Sequence, residues 1–208
     1  MPSKTGAMHD LYKFLGKTIC KLFLTWCYFR DKIIKPKTDA ILIVAHPDDD
    51  TLFFHKFIKK HKPYVCLMTM GWSLRRIPCF IKTMNQYGVT FRYYDLDSRD
   101  TRYDVLVRNI NSCLNIKEFK ICATHGQLGE YGHEMHKRVH NAVVSQAKCA
   151  IWVPVDENEI EKYPLPVSIV QEKQRIFNEN YKTELFVLDQ YKKWIDNEHL
   201  LEFNNTLE

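Results

Sequence analysis

Glycine is scarce in this chain, seven in 208 residues, and proline is hardly commoner at eight. So little of either excludes a collagen repeat or a Pro/Gly-rich low-complexity tract. Neither a G-x-G-x-x-G fingerprint nor a P-loop occurs, so the backbone cradles that hold dinucleotides and nucleoside triphosphates are missing. The seven cysteines are odd in number and contain no C-x-x-C pair, which excludes a disulfide framework and reads as reduced thiols filling a core in a cytoplasmic protein. Long apolar runs are absent too. The longest, Leu22 to Phe29, is interrupted by Thr25 and falls well short of the ~18–20 residues of a membrane span. It is followed by Arg30-Asp31-Lys32 rather than by small residues, so cleavage as a secretory signal is not expected.

Positive charge is missing from most of the chain. The net charge is +5, yet residues 1–40 alone hold eight Lys/Arg against three Asp, so everything after them is neutral overall. That excludes a nucleic-acid footprint on the main body, because phosphate binding needs a basic face. With 45% hydrophobic and 26% charged residues the chain reads as one globular domain, 39–208, preceded by a basic extension, 1–38. Leu15, Ile19, Leu22, Trp26 and Phe29 recur at steps of three and four and predict an amphipathic helix within residues 11–34. Such a helix either packs on the domain or lies on an anionic membrane surface as a peripheral contact.

From Ala40 onward the pattern alternates. Ile41-Leu-Ile-Val-Ala45 is a continuous aliphatic run of the kind buried on both faces of a parallel sheet. Further strands are predicted at 64–69, 89–94, 119–124 and 150–155. Helices are predicted at 51–60, 76–87 (closed by Gly88), 104–114 and 133–148, with one long helix over 167–194. Strands alternating with helices imply an α/β, Rossmann-like fold: a mostly parallel sheet with helices on both faces and the site at the carboxyl ends of the strands.

Two polar clusters fall at such ends. His46-Pro-Asp-Asp-Asp50 follows the first strand, and 125–140, with His125, His133, His136 and His140 around Gly126, Gly129 and Gly132, follows the fourth. Three adjacent carboxylates repel one another in a cleft unless a cation is present. The second cluster supplies imidazoles, and two His plus one Asp with an open position is a catalytic zinc arrangement. His140, one turn past His136, is expected to be a packed helix residue. Trp72, after the second strand, is a candidate wall of a sugar pocket.

Ala45-His-Pro-Asp-Asp-Asp50 together with Gly129-Glu-Tyr-Gly-His-Glu-Met-His136 resembles the paired motifs of the LmbE-like zinc deacetylases. This is the family of N-acetylglucosaminyl-phosphatidylinositol deacetylase and the mycothiol-pathway deacetylase. The resemblance covers roughly residues 39–195 and includes Arg76 at the start of the second helix. It implies Zn2+ on His46, Asp49 and His136, and Asp48 as general base toward a zinc-bound water. It further implies His133 as oxyanion stabiliser and acid, Tyr131 as an assisting tyrosine, and Arg76 with Asp95 or Asp97 as substrate-binding residues. The implied reaction removes the N-acetyl group from an N-acetylglucosamine-containing glycoconjugate, soluble or lipid-linked. The alternatives are another N-acyl substrate and a catalytically silent sugar-binding module. Two positions depart from the family pattern: Asp50 and Cys79 stand where Glu is usual.

Overall fold

The computed structural model describes residues 36–69, 76–97, 99 and 101–203. The predicted helix at 11–34 and Trp72 lie outside them, as does the side chain of Asp95. The described chain forms β1 (Ala40–Val44), α1 (Asp49–His61), β2 (Tyr64–Thr69), α2 (Arg76–Tyr87) and β3 (Phe91–Leu96). It continues through α3 (Tyr103–Leu114), β4 (Ile121–Thr124), the single turn α4 (Gly129–Gly132), α5 (Glu134–Gln146) and β5 (Ala150–Pro154). After a 3₁₀ turn (Ile160–Lys162) come α6 (Val167–Glu179), a second 3₁₀ turn (Lys182–Glu184), α7 (Phe186–Gln190), α8 (Lys192–Asp196) and β6 (Leu200–Glu202).

The strand order is β3-β2-β1-β4-β5-β6; β1 to β5 run parallel and β6 pairs antiparallel with β5. The Rossmann-like reading therefore holds. The apolar run of β1 is explained by its position at the centre of the sheet. Ala40, Leu42 and Val44 enter one core with Leu52, Phe53, Phe57 and Phe80. Ile41, Ile43 and Ala45 enter the other, with Leu106, Ile110, Val139 and the thiols of Cys66, Cys113 and Cys122. Because β1 neighbours β2 on one side and β4 on the other, strand order reverses there. The chain ends of β1 and β4 thus flank the crevice where ligands bind in open α/β sheets.

The long helix predicted over 167–194 is broken. Helix α6 stops at Glu179, and Asn180 turns its amide onto Thr83 Oγ1 (3.1 Å) and Gln86 Oε1 (2.7 Å) of α2. The break swings the next residue inward, so that the Tyr181 hydroxyl donates to Asp50 Oδ2 at 2.7 Å. Tertiary hydrogen bonds here override a sequence of adequate helix propensity.

Lys173, on α6, is fully buried. Its ammonium donates to Leu52 O (2.8 Å) and Trp194 O (2.7 Å) and lies 3.5 Å from Glu198 Oε2. The ammonium is thus hydrogen-bonded to two carbonyls, from α1 and α8, and ion-paired with a carboxylate on the approach to β6. Burial pulls this group down to about 8 from 10.5, with Glu198 opposing. Between those two values the unfolded chain binds the proton and the native chain does not, so this group makes stability rise with pH across that window. Lys173→Met strands Glu198 and two carbonyls, and should cost about 3–5 kcal/mol in urea denaturation. The wild type should gain stability between pH 8 and 10 from this group, and the variant should lose that gain.

Candidate active site

Each half of the site begins where a strand stops. Beyond β1 the chain turns at Pro47 and Asp48, and Asp48 holds φ 96°, a left-handed conformation rare for a residue with a Cβ. Its carbonyl accepts from the Thr51 and Leu52 N–H groups at 3.0 and 2.9 Å, which starts α1, but its side chain makes no cap bond. The carboxylate is turned instead to Arg76, whose Nη2 lies 3.0 Å from Asp48 Oδ1 and donates to Pro47 O at 2.8 Å. Beyond β4 the chain passes through Gly129 (φ 71°) and Gly132 (φ 88°) to reach α5. At Gly129 a Cβ would come within 3.0 Å of the Lys137 side chain, so both the φ and the space call for glycine.

The three consecutive carboxylates have three different sets of partners. Asp48 faces Arg76. Asp49 Oδ2 accepts the His46 N–H at 2.6 Å and faces the imidazoles of His46, His136 and His125 at 3.4, 3.4 and 3.3 Å. Asp50 receives Tyr181 OH and Thr51 Oγ1, each at 2.7 Å. Their proton affinities diverge accordingly. Burial and the neighbouring Asp49 hold Asp48 well above the usual carboxylate range. Burial would raise Asp49 as well, but His136 and His125 outweigh it and Asp49 stays well below that range. Burial lifts Asp50 to about 6 against the two hydroxyl donors.

Three atoms converge. His46 Nδ1 and His136 Nε2 are 3.2 Å apart, and Asp49 Oδ2 is 3.4 Å from each. A tetrahedral ion with bonds of about 2.0–2.1 Å has ligand edges of about 3.3–3.4 Å, so this triangle has the size of one face of such a coordination shell. Two further His-containing groups lie close enough for an ion, His46–His133–His136 and Asp49–His125–His136. In the latter, His125 has both ring nitrogens engaged: Nε2 accepts the Ala45 N–H at 2.9 Å and Nδ1 faces Glu130 Oε2 at 3.1 Å. Both of its ring nitrogens therefore have partners outside the triangle, whereas His46 Nδ1 faces Asp49 Oδ2 and His136 Nε2 within it.

Sequence reasoning missed Glu130. Fully screened from solvent at its carboxylate and held at φ 55°, it meets His136 Nδ1 at 2.6 Å and accepts the Gly126 N–H at 2.8 Å. A carboxylate behind a histidine fixes the tautomer that presents Nε2 as a ligand. Burial lowers the basicity of His136, but Asp49 and Glu130 prevail and raise it to about 10, so this position favours positive charge. The sequence signals for Glu130 are its place inside the second motif and between Gly129 and Gly132, neither of which assigns it a partner.

His133 caps α5, its Nδ1 accepting the Met135 N–H at 3.2 Å, which leaves the proton on Nε2. Its ring lies 4.7 Å from His46 and 4.5 Å from His136, centroid to centroid. Tyr131 stacks on Tyr191 at 4.4 Å and sits 5.5 Å from the His136 ring. Arg76 also pairs through Nε with Glu184 Oε1 at 3.0 Å, a partner with no signal in either motif. His140 is packed as expected, bonded to His125 O at 2.8 Å. Asp97 accepts the Arg99 N–H at 2.7 Å within its own loop. Cys79, half-buried on α2, takes part through its carbonyl, which accepts from Thr83.

No family model matches the chain. A curated relative, the uncharacterized protein L374 of Acanthamoeba polyphaga mimivirus, is 25% identical over 191 residues, covering 77% of this chain and 85% of that protein. Two solved structures align over most of their length. The conserved protein TT1542 from Thermus thermophilus has a TM-score of 0.50 and 11% identity, covering 82% of this chain and 95% of that one. GalB, the 4-carboxy-2-hydroxymuconate hydratase of Pseudomonas putida, has a TM-score of 0.52 and 13% identity, covering 81% and 98%. What is shared is the fold. Its metal-sized cluster sits where that fold places its ligands, at the carboxyl ends of β1 and β4.

Removing the carboxylate behind His136 tests the cluster as a metal site. Glu130→Gln should weaken zinc affinity about 10–100-fold in calorimetric titration while leaving the circular dichroism spectrum unchanged.

Proposed function

We propose that the chain is a zinc-dependent hydrolase that removes the N-acetyl group from an N-acetylglucosamine-containing glycoconjugate, with His46, Asp49 and His136 holding the ion. The observation that supports it best is the 3.2–3.4 Å triangle of His46 Nδ1, Asp49 Oδ2 and His136 Nε2, with Asp48 the residue before the ligating Asp49. Zinc at such a site lowers the pKa of water toward ~7 and polarises an amide carbonyl.

The remaining work belongs to the chain. Asp48, its proton affinity raised by burial and its orientation fixed by Arg76, accepts the proton of the attacking water. The acid that protonates the nitrogen as the amide C–N bond breaks and the amine leaves is, as the resemblance implies, His133. His133 presents an Nε2–H, the tautomer set by the Met135 N–H, as a donor to the carbonyl oxygen as that oxygen gains charge. Tyr131 assists on the same side, and Arg76 with Asp95 or Asp97 meets the sugar. No serine or cysteine nucleophile is required, and the thiols of Cys66, Cys113 and Cys122 are buried away from the cluster in the core.

Asp48→Asn should lower turnover by about 10²–10⁴-fold while zinc stays bound, because an amide cannot take the proton. His136→Ala should lose zinc. The assay is release of acetate and free amine from a panel of N-acetylglucosamine conjugates, soluble and lipid-linked. Retention of more than about a tenth of wild-type rate by Asp48→Asn, well short of the range for a general base, removes Asp48 from that role. Turnover of an enol or unsaturated acid in place of any amide would transfer the reading to the hydratase chemistry named for GalB.

A membrane-borne substrate would suit the basic segment. No described helix is long and apolar enough to cross a membrane, so contact would be peripheral, through residues 11–34. Each Lys or Arg near an anionic surface contributes ~1 kcal/mol. The full chain should therefore sediment with anionic vesicles at low salt, and a chain starting at Lys35 should not. Equal sedimentation of the two would make the segment a packing element and favour a soluble sugar.

A further inference from the structure

Arg76 would ordinarily be read as an anion receptor at the mouth of the site, but its guanidinium is already engaged. Nη2 carries two N–H groups, and these face Pro47 O at 2.8 Å and Asp48 Oδ1 at 3.0 Å; Nε faces Glu184 Oε1 at 3.0 Å. Nη2 belongs to both edges through which a guanidinium grips a phosphate or carboxylate in a fork, so its two hydrogen bonds close each of them, while the Nε N–H makes no hydrogen bond among the described residues and Glu184 acts on Arg76 through its charge. Neither is open here. Glu184 also places a second carboxylate, besides Asp48, against the one guanidinium. Side-chain exposures of 11–21% for Asp48, Glu184 and Arg76 mean that solvent screens the repulsion only weakly.

Glu184 does not reach Arg76 by accident of a surface side chain. The break after α6 carries it there: Tyr181 is anchored on Asp50, the Glu184 N–H bonds Tyr181 O at 2.8 Å, and Thr183 Oγ1 donates to Glu184 Oε1 at 3.3 Å. The same turn that buries Tyr181 therefore sets the carboxylate against Arg76.

We propose that Glu184 closes Arg76 to anions, so that the part of the ligand bound beside Arg76 is an uncharged, hydroxyl-bearing group and not a phosphate or carboxylate. The identity of that ligand as a sugar rests on the amino-sugar reading above; the exclusion of anions does not. Nη1 makes no hydrogen bond among the described residues, and single-point donation from it suits a hydroxyl, while Glu184 repels any oxyanion that approaches. Glu184 is in these terms a specificity-determining residue, and Arg76 a positioning residue for Asp48.

Two measurements on the full-length, zinc-loaded chain test this. First, sulfate binding is followed by thermal shift in the wild type, Glu184→Gln and Glu184→Asp. Glu184→Gln should bind sulfate at least tenfold more tightly than the wild type, and Glu184→Asp should resemble the wild type. Equal sulfate affinity in the wild type and Glu184→Gln overturns the proposal. Second, N-acetylglucosamine and its 6-phosphate are compared on the wild type, where no variant has to fold. The 6-phosphate should bind at least tenfold more weakly, and equal or tighter binding of the 6-phosphate overturns the proposal. If neither sugar binds while Glu184→Gln still gains sulfate affinity, anion exclusion stands and the amino-sugar reading falls.

Discussion

Three carboxylates in consecutive positions can be buried together only if each is given its own compensation, and the architecture around β1 is organised by that requirement. Asp48, Asp49 and Asp50 diverge from a single turn toward a guanidinium, a group of imidazoles and a pair of hydroxyls. The destinations are spread over the fold: α2 for Arg76, the ends of β4 and α5 for His125 and His136, and the end of α6 for Tyr181. The turn after the central strand is thus tied electrostatically to both faces of the sheet. An unpaired buried carboxylate would be costly, so removing any one destination affects the fold as well as the site.

The turn itself is strained. Among described residues the non-glycine positions with positive φ are Asp48, Glu130 and Lys62. Lys62 has an ordinary reason, since it ends α1 in the left-handed helical region. Asp48 and Glu130 are both carboxylates of the site, one facing Arg76 and the other backing His136. Each such conformation costs of order 1–3 kcal/mol and persists only where its surroundings over-determine it. Here the surroundings are the charged partners themselves, so strain and polar pairing maintain one another at the crevice.

Much of this was readable in the residues. The aliphatic run of β1, the strand–helix alternation and the two His/Asp clusters predict the parallel sheet and place the clusters at neighbouring strand ends, because periodicity and chain order suffice for both. Which members of the two clusters meet is not given by that order; the family resemblance is what implies His46, Asp49 and His136. What could not be read depends on long-range partners. The helical pattern over 167–194 carries no stop signal strong enough to reveal that Asn180 prefers Thr83 and Gln86 of α2. Glu130 looks like a loop carboxylate until the fold of the glycine turn points it inward. Glu184, far along the chain from either motif, acquires its role only once Tyr181 has found Asp50.

That dependence explains why a shared fold says little about chemistry here. A neighbour with the same sheet at 13% identity is a hydratase, and the switch point of such a sheet serves many reactions. The elements common to the architecture are the strands and the crevice, both specified by apolar periodicity. Further groups that touch the site's side chains arrive from the chain after β5, in short turns whose positions are set by polar and ring contacts: Tyr181 to Asp50, Glu184 to Arg76, Tyr191 against Tyr131. Apolar cores tolerate substitution at constant volume, whereas a buried polar contact fails when either partner changes. Exchange of a few residues in those turns can therefore change the surroundings of the site while the sheet and the histidine–aspartate cluster stay as they are.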